Sequence, residues 1–389
     1  MLKTEKPQLI NNYWYVTRHA DCKLVLDDEN STKKYYAVDP ENAPFEGWFG
    51  SERHKDVLRK EAGESYTDIF ITEEQPEGTI LAGIFTDLVS HNNIESIKNE
   101  LHPLVEKIIS SNLNNKNFDL VNDLIYKAAP IIYSGVYGNS ELKKRSNEFE
   151  RHFNSLLSSY MNAEWVAPYP PGLLESSENA IKFFSDMIAE ILIDYINNPR
   201  PNDDFIQRLF GLYGDNLHKI GQTIVQTGTT SHVSIILLKN IYALLCSDKD
   251  LQNKLRKEEK ITPSHIEEFV RIIPSKPIVF RVLTKDLTID DIVMKKGMIV
   301  VIDLNAACFD PEVFDNPYVF DSTRKVTNNL GYSYGAHACM GRYFSKSILS
   351  MLVEELLNNT TEIELVGEIV SEQAGTMTIP NNIPVLLKG

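Results

Sequence analysis

The sequence predicts a mainly α-helical protein with a minor β region. Three observations predict it. Long stretches carry apolar residues at helical spacing, short alternating segments are confined to Val279–Ile302 and the C-terminal tail, and the 389 residues include 42% hydrophobic against 24% charged side chains, enough for a large core. Length alone allows one large domain or two to three smaller ones, and no repeat or low-complexity segment divides the chain.

In chain order, residues 1–11 read as a loose N-terminus, and Trp14 to Leu26 as a short strand followed by a helix that turns over at Asp27-Asp28. From Ile94 to Leu113 the residues Ile94, Ile97, Leu101, Leu104, Val105, Ile108 and Ile109 recur at helical spacing, with Pro103 as a local irregularity. Further helices are expected at 118–137, 141–160 and 177–196. Trp165 to Gly172, aromatic and stiffened by prolines, cannot be regular and reads as a loop able to act as a lid. Asn216 to Cys246 is the longest helical run, apolar at both ends but filled in the middle by Gln226-Thr227-Gly228-Thr229-Thr230-Ser231-His232. Small polar residues in a buried helix have two readings: hydroxyls that bond back to the helix and bend it, or a catalytic groove. An apolar helix over Gly341–Leu357 and a β-rich tail complete the chain.

The 39 basic and 54 acidic residues give a formal charge of -15, which opposes binding to nucleic acid or an anionic membrane. No apolar run approaches the roughly 20 residues of a membrane span, and the first residues lack the apolar centre of a signal peptide, so a cytoplasmic protein is expected. Cys22, Cys246, Cys308 and Cys339 lie far apart and form no Cys-x-x-Cys pair, which argues against a disulfide framework or a zinc knuckle.

Gly331-Tyr-Ser333-Tyr-Gly335 fits the G-x-S-x-G nucleophile elbow, but the acid and histidine that must follow it are missing, because the only later histidine is His337. The overlapping run Tyr332-Ser-Tyr-Gly335-Ala-His337-Ala-Cys339-Met-Gly341 is more informative, since it leads straight into a helix. Free backbone N–H groups and the helix dipole stabilise a thiolate there. The flanking glycines let the backbone lie flat beneath a planar cofactor, and thiolate is one of the axial ligands of heme iron. A buried structural cysteine is the competing reading.

Upstream, Ile266-Glu-Glu268-Phe-Val-Arg271 places an acid and a base three apart on one helix face. Arg281, Ala307-Cys-Phe-Asp310-Pro311, Phe314-Asp-Asn-Pro317-Tyr-Val-Phe320-Asp-Ser-Thr-Arg324 and the cysteine run follow in order. In this series the chain resembles the bacterial cytochromes P450, the heme-thiolate monooxygenases, and Trp14-Tyr-Val-Thr-Arg-His-Ala-Asp extends the likeness toward the N-terminus. The resemblance implies the cytochrome P450 fold, a single domain over 1–389, and heme b with Cys339 as axial ligand. It also implies His337 and Arg281 as propionate partners, further cofactor contacts at Tyr332, Gly335 and Gly341, and a structural network of Glu268, Arg271 and Arg324.

The chain departs from the family at two places. Gln75 to Ala82 carries Gly78 and Ala82 where the family has a histidine and an arginine bonded to propionate, and its apolar character puts docking of an ordinary redox partner in question. In the long helix, Gly228-Thr229-Thr230-Ser231-His232 stands where the family has its proton-relaying acid and alcohol. These five are the candidate catalytic residues. For His232 three roles stay open: a proton relay titrating near neutrality, a distal iron ligand, or a hydrogen bond in the helix groove. The short N-terminus predicts an open site, with substrate contacts from Gly63–Gly78 and Met161–Leu174. The expected function is monooxygenation of a small secondary-metabolite intermediate, with electrons from NAD(P)H through its reductase and a ferredoxin or flavodoxin. The alternatives are an atypical heme-thiolate enzyme that uses peroxide or rearranges, dehydrates or couples its substrate, and a heme-binding sensor or carrier without turnover.

Overall fold

The apolar run that ends at Cys246 becomes the longest helix among the described residues. The computed structural model describes residues 4–10, 12–27, 29–32, 89–137, 173–201, 204–335, 338–374 and 377–389, with isolated positions in 83–86 and 148–155. In chain order the elements begin with β1 (Gln8–Ile10), β2 (Tyr13–Val16), α1 (His19–Leu26), β3 (Ser31–Thr32), α2 (His91–Ser111), β4 (Phe118–Asp119), a π turn (Leu120–Ile125) and α3 (Tyr126–Tyr137). Next come α4 (Leu173–Asn197), α5 (Phe205–Tyr213), α6 (Leu217–Ser247), α7 (Lys249–Leu255) and α8 (Pro263–Ile272). The chain continues through β5 (Ile278–Leu283), β6 (Leu287–Ile289), β7 (Ile292–Met294), β8 (Ile299–Asp303) and α9 (Leu304–Cys308). It ends with α10 (Arg342–Asn358), β9 (Glu362–Leu365), β10 (Val370–Ala374), β11 (Met377–Asn382) and β12 (Pro384–Lys388). The chain divides into two compact units, Met1–Pro44 with Thr262–Arg342, and Phe45–Ile261 with Tyr343–Gly389.

The first unit is built on a five-stranded sheet in the order β1-β2-β8-β5-β3. Its central strand β8 reads Ile-Val-Val-Ile-Asp and is buried along its whole length, as a strand covered on both faces requires. β2 runs parallel to it and β5 antiparallel. Val16, Cys22, Leu26, Leu283, Ile302 and Ala307 form part of the core beneath. Gln8–Ile10, expected to be loose, is instead the edge strand, laddered to Tyr13–Tyr15. All three of its residues are exposed, so no alternation marks it in the sequence.

In the second unit α6 packs against α3, α4, α5 and β11. The approach to α4 is close: a Cβ on Gly221 would lie 2.7 Å from the Ile188 side chain. α2 starts at Ser90, whose hydroxyl accepts from the Asn93 N–H, and it buries Ile94, Ile97, Leu101, Val105, Ile108 and Ile109 on one face. The helix expected over 118–137 opens with a two-residue strand and a π turn. Asp119 explains the start, since its carboxylate accepts from the N–H groups of Val121 and Asn122 and, at 2.6 Å, from Ile383 N–H and the Asn382 side chain. The first turn is thereby tied to the C-terminal tail. No helix among the described residues is long and apolar enough to cross a membrane. Most of the helix expected at 141–160, the loop Trp165–Gly172, Gly78, Ala82, His337 and nearly all of the two expected substrate segments lie outside the described residues.

Candidate active site

On α8, Glu268 and Arg271 share one face, as the sequence predicts. Arg271 Nε and Nη2 donate to the two carboxylate oxygens of Glu268, each at 2.8 Å, in a pair whose side chains are only 3% and 1% exposed. Arg271 Nη1 donates to the Cys308 carbonyl at 2.8 Å, and the rings of Phe309 and Phe314 flank the guanidinium at 5.3 and 5.2 Å. Glu268 Oε1 also accepts from Arg324 Nε at 3.2 Å and from the Asp321 N–H at 2.9 Å. The remaining Arg324 nitrogens donate to the carbonyls of Asp315, Asn316 and Val319. A buried ion pair is tolerable only when such further bonds satisfy it, and the structure brings Glu268, Arg271 and Arg324 together with that requirement met.

The same helix holds the start of the cysteine loop through Asn329, a residue that nothing in the sequence singles out. Asn329 donates to the carbonyl and carboxylate of Glu267 at 2.7 and 3.0 Å, and its own side-chain oxygen accepts from Gly331 N–H at 2.8 Å. Gly331 is required here, because a Cβ would lie 2.7 Å from the Val270 carbonyl oxygen. Ser333 and Gly335 then take positive φ, 63° and 80°. The Cys339 N–H closes the loop on the Tyr332 carbonyl at 2.8 Å. Lys23 of α1 lies over the Tyr334 ring at 4.4 Å, and the His19 ring bonds the Asn328 carbonyl at 2.7 Å. Gly341 is buried immediately before α10.

Among the four cysteines the contrast is sharp. Cys22, Cys246 and Cys308 are buried, and burial pushes the Cys246 and Cys308 thiols up to about 12 and Cys22 well above its ordinary value. Cys339 is exposed. Cys339, exposed at the end of a closed loop and ahead of α10, has the donor chemistry of an axial heme ligand. Arg281, on β5 in the same unit, is a buried cation that gives one N–H to the Phe280 carbonyl at 2.8 Å. A guanidinium, with five donors in a planar fork, suits an anionic group.

In the second unit, the polar stretch of α6 has a physical explanation. Thr223 and Thr227 donate to the carbonyls of Lys219 and Thr223 at 2.9 and 2.7 Å, and Ser231 donates to Gly228 at 3.1 Å. These hydroxyls bond back to their own helix. Thr229 and Thr230 are placed on α6 by their backbone. His232 is fully buried, and its Nδ1 lies 2.9 Å from the Tyr133 hydroxyl of α3. Burial, reinforced by the Lys239 ammonium, pushes the imidazole down to about 3. A relay titrating near neutrality is therefore not what this environment makes; the hydrogen-bonding role is the one its geometry displays.

Comparison with known proteins agrees with the residue-level reading. The family model for cytochrome P450 matches residues 79–361. The polyketide biosynthesis cytochrome P450 PksS of Bacillus subtilis (strain 168) is 22% identical over 362 residues, covering 90% of this chain and 82% of that protein. The 6-deoxyerythronolide B hydroxylase of Saccharopolyspora erythraea is 22% identical over 395 residues, covering 97% and 90%. The crystal structure of P450BioI in complex with hexadec-9Z-enoic acid ligated acyl carrier protein superposes with a TM-score of 0.78 at 18% identity, covering 97% of this chain and 92% of that one.

Arg271→Lys removes the planar fork that bonds Glu268 and leaves that carboxylate buried with an incomplete partner, so urea unfolding should show a loss of about 3 kcal/mol. A loss near zero would mean that the pair does not anchor α8. For His232 the folded pKa of about 3 lies below the unfolded value of 6.5, so below 6.5 the unfolded state binds the extra proton. Stability should fall as pH drops from about 6.5 toward 3, by up to about 1.4 kcal/mol per pH unit from this group, and be independent of it above. His232→Gln should lose less stability between pH 7 and pH 5 than the parent protein does, and an equal loss would refute the assignment.

Proposed function

The chain belongs to the cytochrome P450 family, and we propose that it is a monooxygenase acting on a small secondary-metabolite intermediate, with Cys339 as the axial ligand of its heme. Membership makes it a heme-thiolate oxidoreductase of the P450 fold; the substrate class and the roles of single residues are our inference. The observation that carries the assignment is the exposed Cys339 in a loop closed by its own N–H on Tyr332, ahead of α10, while the other three cysteines are buried. When bound, the heme supplies oxygen activation at iron, with thiolate donation favouring O–O cleavage.

The chain's own residues hold and orient that group. Arg281 and His337 would pair with the heme's carboxylates, Tyr332, Gly335 and Gly341 would lie against it beside Cys339, and Glu268, Arg271 and Arg324 keep α8 and the segments bonded to it in fixed relation. Gly228 to Ser231 are the residues assigned to proton handling, and His232 serves beside them as a neutral hydrogen-bonding group. Electrons come from NAD(P)H through a reductase and a ferredoxin or flavodoxin, and the chain works as one domain in the cytoplasm. The company of relatives named for polyketide biosynthesis and for 6-deoxyerythronolide B supports a substrate of that kind. A net charge of -15 argues against nucleic acid and anionic membranes as partners.

A second reading is favoured by α6. Ser231 bonds Gly228 and His232 bonds Tyr133, and no carboxylate stands at either position. An enzyme that bypasses the usual delivery of protons, by using peroxide or by a coupling, dehydration or rearrangement, suits that arrangement.

The ferrous protein under carbon monoxide should show a red-shifted Soret band that Cys339→Ser abolishes while Cys246→Ser keeps it; a band that survives Cys339→Ser would overturn the ligand assignment. Turnover with NADPH and surrogate redox proteins, and none with hydrogen peroxide, is expected of the monooxygenase. The reverse pattern selects the second reading.

A further inference from the structure

The contact between His232 and Tyr133 is accompanied by a second polar rung between the same pair of helices. Tyr126 and Tyr133 stand seven residues apart on α3, and His232 and Lys239 stand seven apart on α6. Seven residues are about two helical turns, so each pair shares a face. The rungs run antiparallel, Tyr133 to His232 and Tyr126 to Lys239, as the packing of α3 on α6 requires. In the second rung Lys239 Nζ is 3.4 Å from the Tyr126 hydroxyl and 4.8 Å from its ring centroid. Tyr133, His232 and Lys239 are all buried to 0% exposure.

In the buried Tyr133–His232 contact the relative acidity of the two partners sets the direction of the hydrogen bond. A phenol is the stronger acid and an imidazole nitrogen the stronger base, so the Tyr133 hydroxyl is the donor and Nδ1 the acceptor. A neutral imidazole that accepts at Nδ1 carries its hydrogen at Nε2. The nearby ammonium of Lys239 works against a second ring proton, because two positive charges in a buried seam repel strongly.

We propose that Tyr133 is a positioning residue for His232: it donates to Nδ1, fixes the ring hydrogen on Nε2 and sets one orientation of the imidazole on α6, independently of the neighbouring Tyr126–Lys239 rung. In this form the ring presents a hydrogen-bond donor and has no lone pair left for a metal at either nitrogen, which removes iron ligation from its roles. The assignment stands on helix geometry; only its bearing on oxygen chemistry rests on the family reading of α6.

The test is nitrogen NMR of the [15N]histidine-labelled holoprotein in its diamagnetic ferrous carbonyl form, with His232 identified among the nine histidines as the signal lost in His232→Gln. The expected spectrum has an unprotonated-type Nδ1 and a one-bond N–H coupling at Nε2. In Tyr133→Phe the single-tautomer signature should be lost, with Nδ1 shifting toward the average of both tautomers, while Lys239→Met should keep it. A hydrogen on Nδ1 in the parent protein, or an unchanged His232 pattern in Tyr133→Phe, would overturn the proposal. The parent spectrum decides the tautomer even if a variant fails to fold. An unshifted carbon monoxide band in the same sample would count against the Cys339 assignment and leave the tautomer readable.

Discussion

A thiolate meant for a metal has to be presented at one fixed point, and the loop around Cys339 has little means of fixing itself. Between Tyr332 and Gly341 the positions Gly335, Ala336, Ala338 and Gly341 offer almost no side chain to anchor a core, and Ser333 and Gly335 sit at positive φ. Its start is tied to α8, the helix that carries the buried Glu268–Arg271 pair. From that pair, contacts lead to the Cys308 carbonyl at the end of α9, through Arg324 to three carbonyls of the segment after it, and from the neighbouring Glu267 through Asn329 to Gly331. Stripping two such ions of water costs several kcal/mol each, so the arrangement persists only because Glu268 accepts four hydrogen bonds and Arg271 donates three. An exposed pair such as Lys295–Asp286, at the same 2.8 Å, has no comparable role.

How much of this could be read from the residues depended on range. α2, α6, α8 and α10 were legible because one apolar face repeats at helical spacing, and the small strands from Val279 onward because alternation is local. The Glu268–Arg271 pair was legible for the same reason: three residues apart on a helix is a short-range fact. Arg324 could be joined to it only through family resemblance, since 56 residues separate it from Glu268. Asn329 gave no signal. An asparagine in a loop is ordinary, and its value comes from two backbone segments meeting at its amide. The edge strand β1 and the π turn after Asp119 were hidden likewise, the first by uniform exposure and the second because its cap is completed by Asn382 and Ile383 at the far end of the chain.

The polar centre of α6 shows how two readings of one sequence feature can both describe part of it. The bland reading, hydroxyls that bond back to the helix, accounts for Thr223, Thr227 and Ser231. It fails for His232, which reaches across to α3. That partner lies 99 residues earlier, and neither tyrosine nor histidine looks unusual alone. Lys239 is the stronger clue in hindsight, since a lysine at 0% exposure on a helix needs a partner and finds one in Tyr126.

The chemistry open to α6 is narrowed by these contacts. A group that is to gain and lose a proton at neutral pH needs a pKa near 7, and burial beside a lysine takes His232 to about 3. No carboxylate stands between Gly228 and His232, the stretch that holds the residues proposed for proton handling. What α6 offers is therefore neutral hydrogen-bonding groups in a fixed geometry. Such groups pass a proton along only when a donor enters at one end and an acceptor waits at the other, so any proton-dependent step depends on what the substrate or solvent brings. The same rigidity suits a reaction in which the substrate's own groups supply and receive the proton.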